Sequence, residues 1–249
     1  MHHGRVTAHE RLITKLESIA ELSNPAKAAL SALPLRFVEV PENADITRQG
    51  DDPVECGMIV EGFACRYKIL SEGQRQIMSF HMAGDIPDLQ SLHLRVMDHS
   101  IGALTPVVAA FIPHAALHEI ARAVPEVAAV FWRDTLIDAA VFREWLAGVG
   151  RRSAHQRIAH LICEVFVRLR SLRLAKSGSF QLPVTQVELA DALGLSAVHV
   201  NRVLQDLRRE GLIDYRGRFV VIEDWPGLEV RGDFDPEYLH LMDPQGPWT

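Results

Sequence analysis

The side chains best suited to chemistry lie between Leu182 and Ile222, and their chemistry is recognition rather than bond-making. Ser196 can cap a helix, and Ala197, His199, Asn201, Arg202 and Gln205 follow it. Val200, Val203, Leu204 and Leu207 recur at helical spacing, so they face inward and leave the polar set on the opposite face. Arg can grip guanine through two hydrogen bonds, and Asn or Gln can do the same for adenine. A major-groove reader carries such side chains near the N-terminus of its helix. The backbone amides at Ser196 would point outward, where a phosphate can sit.

A shorter helix must precede this one. Thr185, with Glu188 three positions later, makes a capping box. Val187, Leu189, Ala190 and Leu193 give that helix an inner face, and small Ala190 allows a close approach. Gly194 breaks it, with Leu195 tucked under the turn. Glu210-Gly211 stops the second helix, and Ile213 to Ile222 reads as a β-hairpin. Its tip carries Arg216 and Arg218 around Gly217, placed to touch a DNA backbone. Helix, tight turn, helix and hairpin together describe a winged helix-turn-helix.

Charge agrees with that placement. The chain of 249 residues has a net charge of −6, which is the wrong sign for a DNA binder taken as a whole. Residues 151–222, however, carry 12 basic and 6 acidic side chains, whereas residues 223–249 carry 1 and 7. The basic segment is the one that phosphate neutralisation and counterion release would favour.

Other chemistries find little support. Cys56, Cys65 and Cys163 form no C-x-x-C pair, so neither a zinc ribbon nor a disulfide framework is expected. His81, His93, His99, His114 and His118 show no H-x-H or H-E-x-x-H spacing. No catalytic triad, phosphate-cradling glycine loop or catalytic carboxylate pair can be defended, and Gly84-Asp85 reads as a turn. No basic segment with a following apolar run marks a leader, and no run approaches the roughly 20 apolar residues of a membrane span. A cytoplasmic protein that contacts no membrane is expected.

The positioning elements fall into a helical start, a β-rich middle and a helical end. Periodic Leu12, Ile13, Leu16, Ile19 and Leu22 predict a helix over 8–22, and Ser23-Asn24-Pro25 starts another over 26–32. Short apolar runs at 37–40, 58–60, 64–69, 76–80 and 107–112, punctuated by turns, predict strands of a sandwich or barrel. A short helix over 113–124 and a long one from Pro125 to about Val149 follow, the latter ended by Gly148 and Gly150 as a hinge. That long helix is apolar on two faces, one for its own domain and one for a second subunit. Ser153 caps the next helix, and Lys176-Ser177-Gly178-Ser179 is a loop.

In this order of elements, and in Leu189 to Leu204 (LADALGLSAVHVNRVL), the chain resembles the Crp/Fnr superfamily of regulators along nearly its whole length. The resemblance implies an α+β protein: a β-roll (a cyclic-nucleotide-binding-like jelly roll), a long dimerisation helix and a C-terminal winged helix-turn-helix. The implied divisions are 1–124 for helices and roll, 125–150 for dimerisation helix and hinge, 151–224 for the DNA-binding domain and 225–249 for a tail. Implied partners are double-stranded DNA at a palindromic site, a second copy of the chain, RNA polymerase and a small-molecule effector. Position-matching places Thr185 and Gln186 near phosphates and Arg202 at the base-contacting arginine. The family's well-known branches carry a Glu where this chain has Val198, and Val cannot accept a hydrogen bond from cytosine. A different target follows, with His199 and Asn201 as further readers.

The family's cyclic-nucleotide cassette matches Asp88 and Leu89, then His99 and Ser100, here with His99 in place of the phosphate-binding Arg. Loss of that permanent cation argues against cyclic AMP. The iron–sulfur branch uses cysteines near the N-terminus, and this chain has none before Cys56, so such a cluster is not expected. Haem or metal ligation by one or two of the histidines is the weaker alternative to histidines as ordinary polar residues. The rival from another class is a cupin-like metal-binding enzyme, or a haem or redox sensor, fused to a DNA-binding tail. A cupin needs a second His beside the first, and Phe80-His81-Met82 lacks it.

Overall fold

A computed structural model of the chain describes residues 3–175 and 177–243, with side-chain surroundings from Ala8 onward. Lys176 and the end of the tail, residues 244–249, lie outside the described residues. Two compact units emerge, one holding the residues up to Ile69 with Met78–Ala139, the other Leu70–Ile77 with the residues from Ala140 on.

The first unit begins with two helices, α1 (His3–Glu17) and α2 (Asn24–Ser31). α1 stops five residues short of the end that its apolar period predicts. The Ser18 hydroxyl donates to the Lys15 carbonyl at 2.7 Å, the local competition by which serine loosens a helix end. Ser23 caps α2 as expected, and its hydroxyl and amide both donate to Glu126, at 2.5 and 2.7 Å.

Seven strands follow: β1 (Arg36–Val40), β2 (Asp45–Thr47), β3 (Glu55–Glu61), β4 (Ala64–Ile69), β5 (Arg75–His81), β6 (Ser100–Ala103) and β7 (Val107–Pro113). They form a three-stranded sheet, β1-β7-β3, and a four-stranded sheet, β2-β6-β4-β5. Val40, Ile59, Val107 and Ala109 from the first meet Ala64, Ile101 and Ala103 from the second in a buried core. Every one of these residues is aliphatic, so burial rather than specific bonding holds the two sheets face to face. β2 and β6 are additions to the sequence reading. α3 (His114–Ala123) and α4 (Pro125–Arg151) complete the run, and α4 passes straight through Gly148 and Gly150. Neither glycine adopts a positive φ; the break comes at Ser153, whose side chain caps α5 in a box with Gln156. The glycines therefore do not end the helix, because nothing there supplies the left-handed residue that a glycine stop uses.

The second unit is built on α5 (Ala154–Ser171). Ile158, Leu161, Ile162, Val165, Phe166 and Leu169 are all buried, and so are Cys163, Glu164 and Val167 on the other side. A helix buried all round needs partners on every face, and the tail supplies one. α6 (Gln186–Leu193), α7 (Ala197–Arg209) and a sheet of β8 (Ser179–Gln181), β9 (Ile213–Arg216) and β10 (Phe219–Ile222) cover part of it; α8 (Trp225–Gly232) covers the rest. Trp225 stands 5.4 Å from the Phe166 ring, and Phe234 and Tyr238 close over His160 at 5.1 and 5.8 Å. Glu164, fully buried, accepts from Trp145 Nε1 at 2.9 Å, from Tyr238 Oη at 2.8 Å and from Arg168 at 3.3 Å. A buried carboxylate of this kind needs its partners to stay in place. The described part of the tail is thus a structural cap.

Candidate nucleic-acid interface

α6 starts in a complete capping box. Thr185 Oγ1 accepts from the Glu188 amide at 3.2 Å, and the Glu188 carboxylate accepts from the Thr185 amide at 2.6 Å. The same carboxylate takes the Thr185 hydroxyl proton at 2.9 Å. Both donors of Thr185 are therefore spent inside the helix end, and what remains for an anion there is the first backbone N–H groups of the helix itself. Val187, expected on the inner face, is exposed instead. Gln186 accepts from Asn201 Nδ2 at 3.1 Å, a bond that ties the first helix to the outer face of the second.

Gly194 ends α6 with φ +62° in the left-handed region, where a side chain would be strained. Leu195 N reaches back to the Ala190 carbonyl at 3.1 Å, so the turn closes tightly. Ser196 then caps α7 by accepting from the His199 amide at 3.2 Å. Val200, Val203, Leu204 and Leu207 are buried, as their period requires. Asn201, Arg202 and Gln205 are exposed, while Ala197 and His199 are half-buried at the edge of that face. His155 and Arg209 both bond Asp206, which holds its carboxyl below the usual range, and Arg208 pairs with Asp214 at 3.3 Å. Among the described residues no carboxylate lies within ion-pair distance of Arg202, which stands one turn before Asp206 and adds only its distant charge there. Of the arginines on α7, it is the one that faces outward without an ion pair.

The wing is a two-residue turn, Gly217-Arg218, between β9 and β10, with Arg216 paired across to Phe219. Gly217 takes φ +65°, which the tight turn requires. Arg218 is exposed at the tip; Arg216 is exposed but bonds Asp214 at 2.8 Å on its own strand. β8, a third strand missed in the sequence reading, pairs with β10, and Leu182 N extends the ladder to the Arg218 carbonyl at 2.9 Å. Tyr215 Oη donates to the Val184 carbonyl at 3.3 Å. The wing is thereby fixed at its base, with its tip exposed to solvent.

Comparison with known proteins agrees with this geometry. Residues 156–231 match the family model for a Crp-like helix-turn-helix domain, and residues 37–123 match that for a cyclic nucleotide-binding domain. The chain belongs to the Crp/Fnr superfamily of transcription regulators. It is similar to the transcriptional activator protein FnrL of Cereibacter sphaeroides, 29% identical over 192 residues that cover 74% of this chain and 75% of that one. It is also similar to the nitrogen fixation regulation protein FixK of Rhizobium meliloti, 28% identical and covering 69% and 75%. The structure of FixK2 from Bradyrhizobium japonicum matches with a TM-score of 0.73 at 25% identity, covering 80% of this chain and 98% of that one. As in that family, the protein is a DNA-binding regulator of transcription, and nothing in the comparisons favours the cupin-like enzyme.

In a Crp/Fnr regulator the roll is the place to look for an effector. Here its candidate residues are already engaged with each other. Asp88 is fully buried and accepts from the Gly57 amide at 2.9 and 3.1 Å and from Thr47 at 3.4 Å. Leu89 is buried beside it in a 3₁₀ turn. His99 Nδ1 donates to Asp98 at 2.7 Å, and its Nε2 accepts from Arg66 Nε at 3.0 Å. Ser100 Oγ accepts from the Gln49 amide at 3.0 Å. Arg66, which the sequence reading passed over, is the hub: its remaining nitrogens donate to Pro87 O at 2.6 Å, Asp138 at 2.7 Å and Ser79 at 3.5 Å. It puts a cation inside the roll and lashes β4 to α4.

Burial shapes the titration of this cluster. Desolvation pushes the Asp88 carboxyl up to about 7, against the opposing pull of Gly57, Thr47 and Arg66. Burial holds His81 and His99 below the usual histidine range, with Arg66 adding to the effect. A carboxyl raised in the folded state stabilises most below its unfolded value, and that stabilisation is gone once pH passes the folded value. Asp88→Asn is therefore expected to gain on the wild type between pH 4 and about pH 7, by about 1.4 kcal/mol per pH unit, and then hold level. The buried histidines act oppositely, costing stability as pH falls below about 6.5, but they are common to both proteins and cancel in the difference. Thermal unfolding of the pair from pH 4 to pH 8 reads it; parallel curves contradict a buried neutral Asp88.

The cysteines are all buried, and desolvation raises the Cys56 and Cys163 thiols, so they act as small apolar side chains. His93 and His118 stand edge to face at 5.8 Å, and His114 bonds Ser91 at 3.0 Å. Among the described residues no group of three or more metal-ligating side chains forms.

Proposed function

We propose that two copies of the chain bind a two-fold-symmetric duplex site, each laying α7 in a major groove and its wing on the flanking backbone. The base readers are Arg202, Asn201 and Gln205, with His199 at the edge. The phosphate contacts are the backbone amides at the starts of α6 and α7, beside Gln186, Ser196 and Ala197, together with Arg216 and Arg218. Thr185 serves this interface by fixing the start of α6. The outward Arg202, which forms no ion pair among the described residues while Asp206 is taken by His155 and Arg209, carries the reading, because such a guanidinium on a helix face is available to a base edge. Control at such a site works by recruiting or excluding RNA polymerase, in the cytoplasm.

The input is proposed to enter through the roll, at the buried cluster around Asp88, Leu89, His99 and Ser100. A cyclic nucleotide fits that cluster poorly, since its one arginine, Arg66, already gives its donors to protein acceptors.

Selection from random duplexes with purified protein tests the assignment. A pseudo-palindrome with half-sites about one helical turn apart is expected; recovery of no preferred sequence overturns it. On the selected site, Arg218→Ala is expected to weaken specific and random duplexes alike and to lower the salt slope by about 1.8, the worth of one phosphate contact from each of the two subunits. Binding isotherms at several salt concentrations measure both quantities.

A further inference from the structure

Four residues of α7 stand in one row on its outer face: Val198, Asn201, Arg202 and Gln205, at i, i+3, i+4 and i+7. Three are hydrogen-bonding side chains. The first, Val198, is apolar, and at 81% exposure it is among the most exposed large hydrophobic side chains of the protein. It sits in the first turn, the part of a reading helix that reaches deepest toward base edges. Val203 and Leu204 are buried on the other side, so no rotation of the helix takes Val198 inward without exposing them.

We infer that Val198 reads the 5-methyl group of a thymine, and that it sets the specificity of the half-site at the base pair next to the one Arg202 reads. This rests on the DNA-binding mode proposed above. The chemistry leaves one choice among base edges. In the major groove guanine offers two acceptors, cytosine a donor, adenine an acceptor and a donor, and thymine an acceptor with a methyl group. An isopropyl group neither donates nor accepts. Against guanine, cytosine or adenine it strips water from a polar edge and returns nothing. Against thymine it covers a methyl, and two apolar surfaces leave water together. Asn201 and Arg202 follow it one turn on in the row and define the register, so the readout of Val198 is confined to one base pair per half-site.

Deoxyuridine differs from thymidine by that methyl alone. Each thymine of the selected half-site is replaced in turn by deoxyuridine, and affinity is measured by fluorescence anisotropy for the wild type and Val198→Ala. One position is expected to lose about fourfold in the wild type, the worth of one buried methyl. In Val198→Ala that sensitivity should vanish while the other thymines behave as before. Val198→Glu is expected to move the preference at the same pair from thymine to cytosine, whose amino group a carboxylate can accept. A wild type indifferent to deoxyuridine everywhere, or a Val198→Ala protein equally sensitive at the same position, overturns the inference and leaves the binding mode intact. A wild type that selects no sequence overturns both.

Discussion

Arg202→Ala, which removes one contact from each half-site, is expected to cut binding to the selected site by about 30-fold or more while leaving binding to random duplex nearly unchanged. A bidentate arginine–guanine pair is worth roughly 1–3 kcal/mol of discrimination. The other arginines of α7 cannot stand in for it. Arg208 is held by Asp214 and Arg209 by Asp206, both on the C-terminal half of the helix and away from its reading end. Substitution at an exposed, unpaired position removes no internal bond, so the variant should fold and melt as the wild type does. The measured quantity is the ratio of dissociation constants for the selected and a scrambled duplex at one salt concentration. An Arg202→Ala protein that keeps the wild-type ratio removes the recognition helix from its assigned role, whatever its absolute affinity. A protein that loses specific and random binding together would instead mark Arg202 as a phosphate contact.

How far the sequence exposed this interface depended on how local its causes are. Thr185 with Glu188, Gly194 and Ser196 are signals that act over three or four residues, and each appears in the structure where its spacing puts it. The wing turn at Gly217 is equally local. What could not be read were features made by partners far along the chain. β2, β6 and β8 are three or four residues long, and they exist because β6, β4 and β10 respectively accept them into ladders. Arg66 shares a strand face with the core residue Ala64, a place where the sequence alone gives no reason for a charge. Its reason is Asp138, 72 positions away, together with His99 and the Pro87 carbonyl. Gly148 and Gly150 misled in the opposite direction, because a glycine ends a helix only where the backbone turns left-handed. The commitment of Thr185 to Glu188 was likewise hidden: the box itself was legible, but not that it would consume the hydroxyl proton.

Leu146→Asp should convert the protein to a monomer and lower its affinity for the full palindrome by about 100-fold or more, the effective-concentration advantage of two linked half-site contacts. α4 carries two apolar faces. Val127, Val130, Phe131, Ile137, Ala140 and Val141 are buried within the chain. Trp132, Leu136, Phe142, Leu146 and Val149 are exposed, Trp132 and Leu146 to 65% each. At 100° per residue these five fall within one side of the helix, as a seam for a second helix requires. A row of this length left in water is costly, and a two-fold partner presenting the same row is the simplest cover. Leu146 is largely exposed, so an aspartate there opposes its twin across the axis and stays solvated in the monomer. Light scattering on eluting protein should show one chain per particle, with an unchanged far-ultraviolet spectrum. An isolated half-site duplex then separates the causes: Leu146→Asp should bind it as the wild type does, since α7 and the wing are untouched. A dimeric Leu146→Asp, or a wild type that is itself monomeric and still prefers the palindrome, would place the two-fold contact elsewhere than on α4.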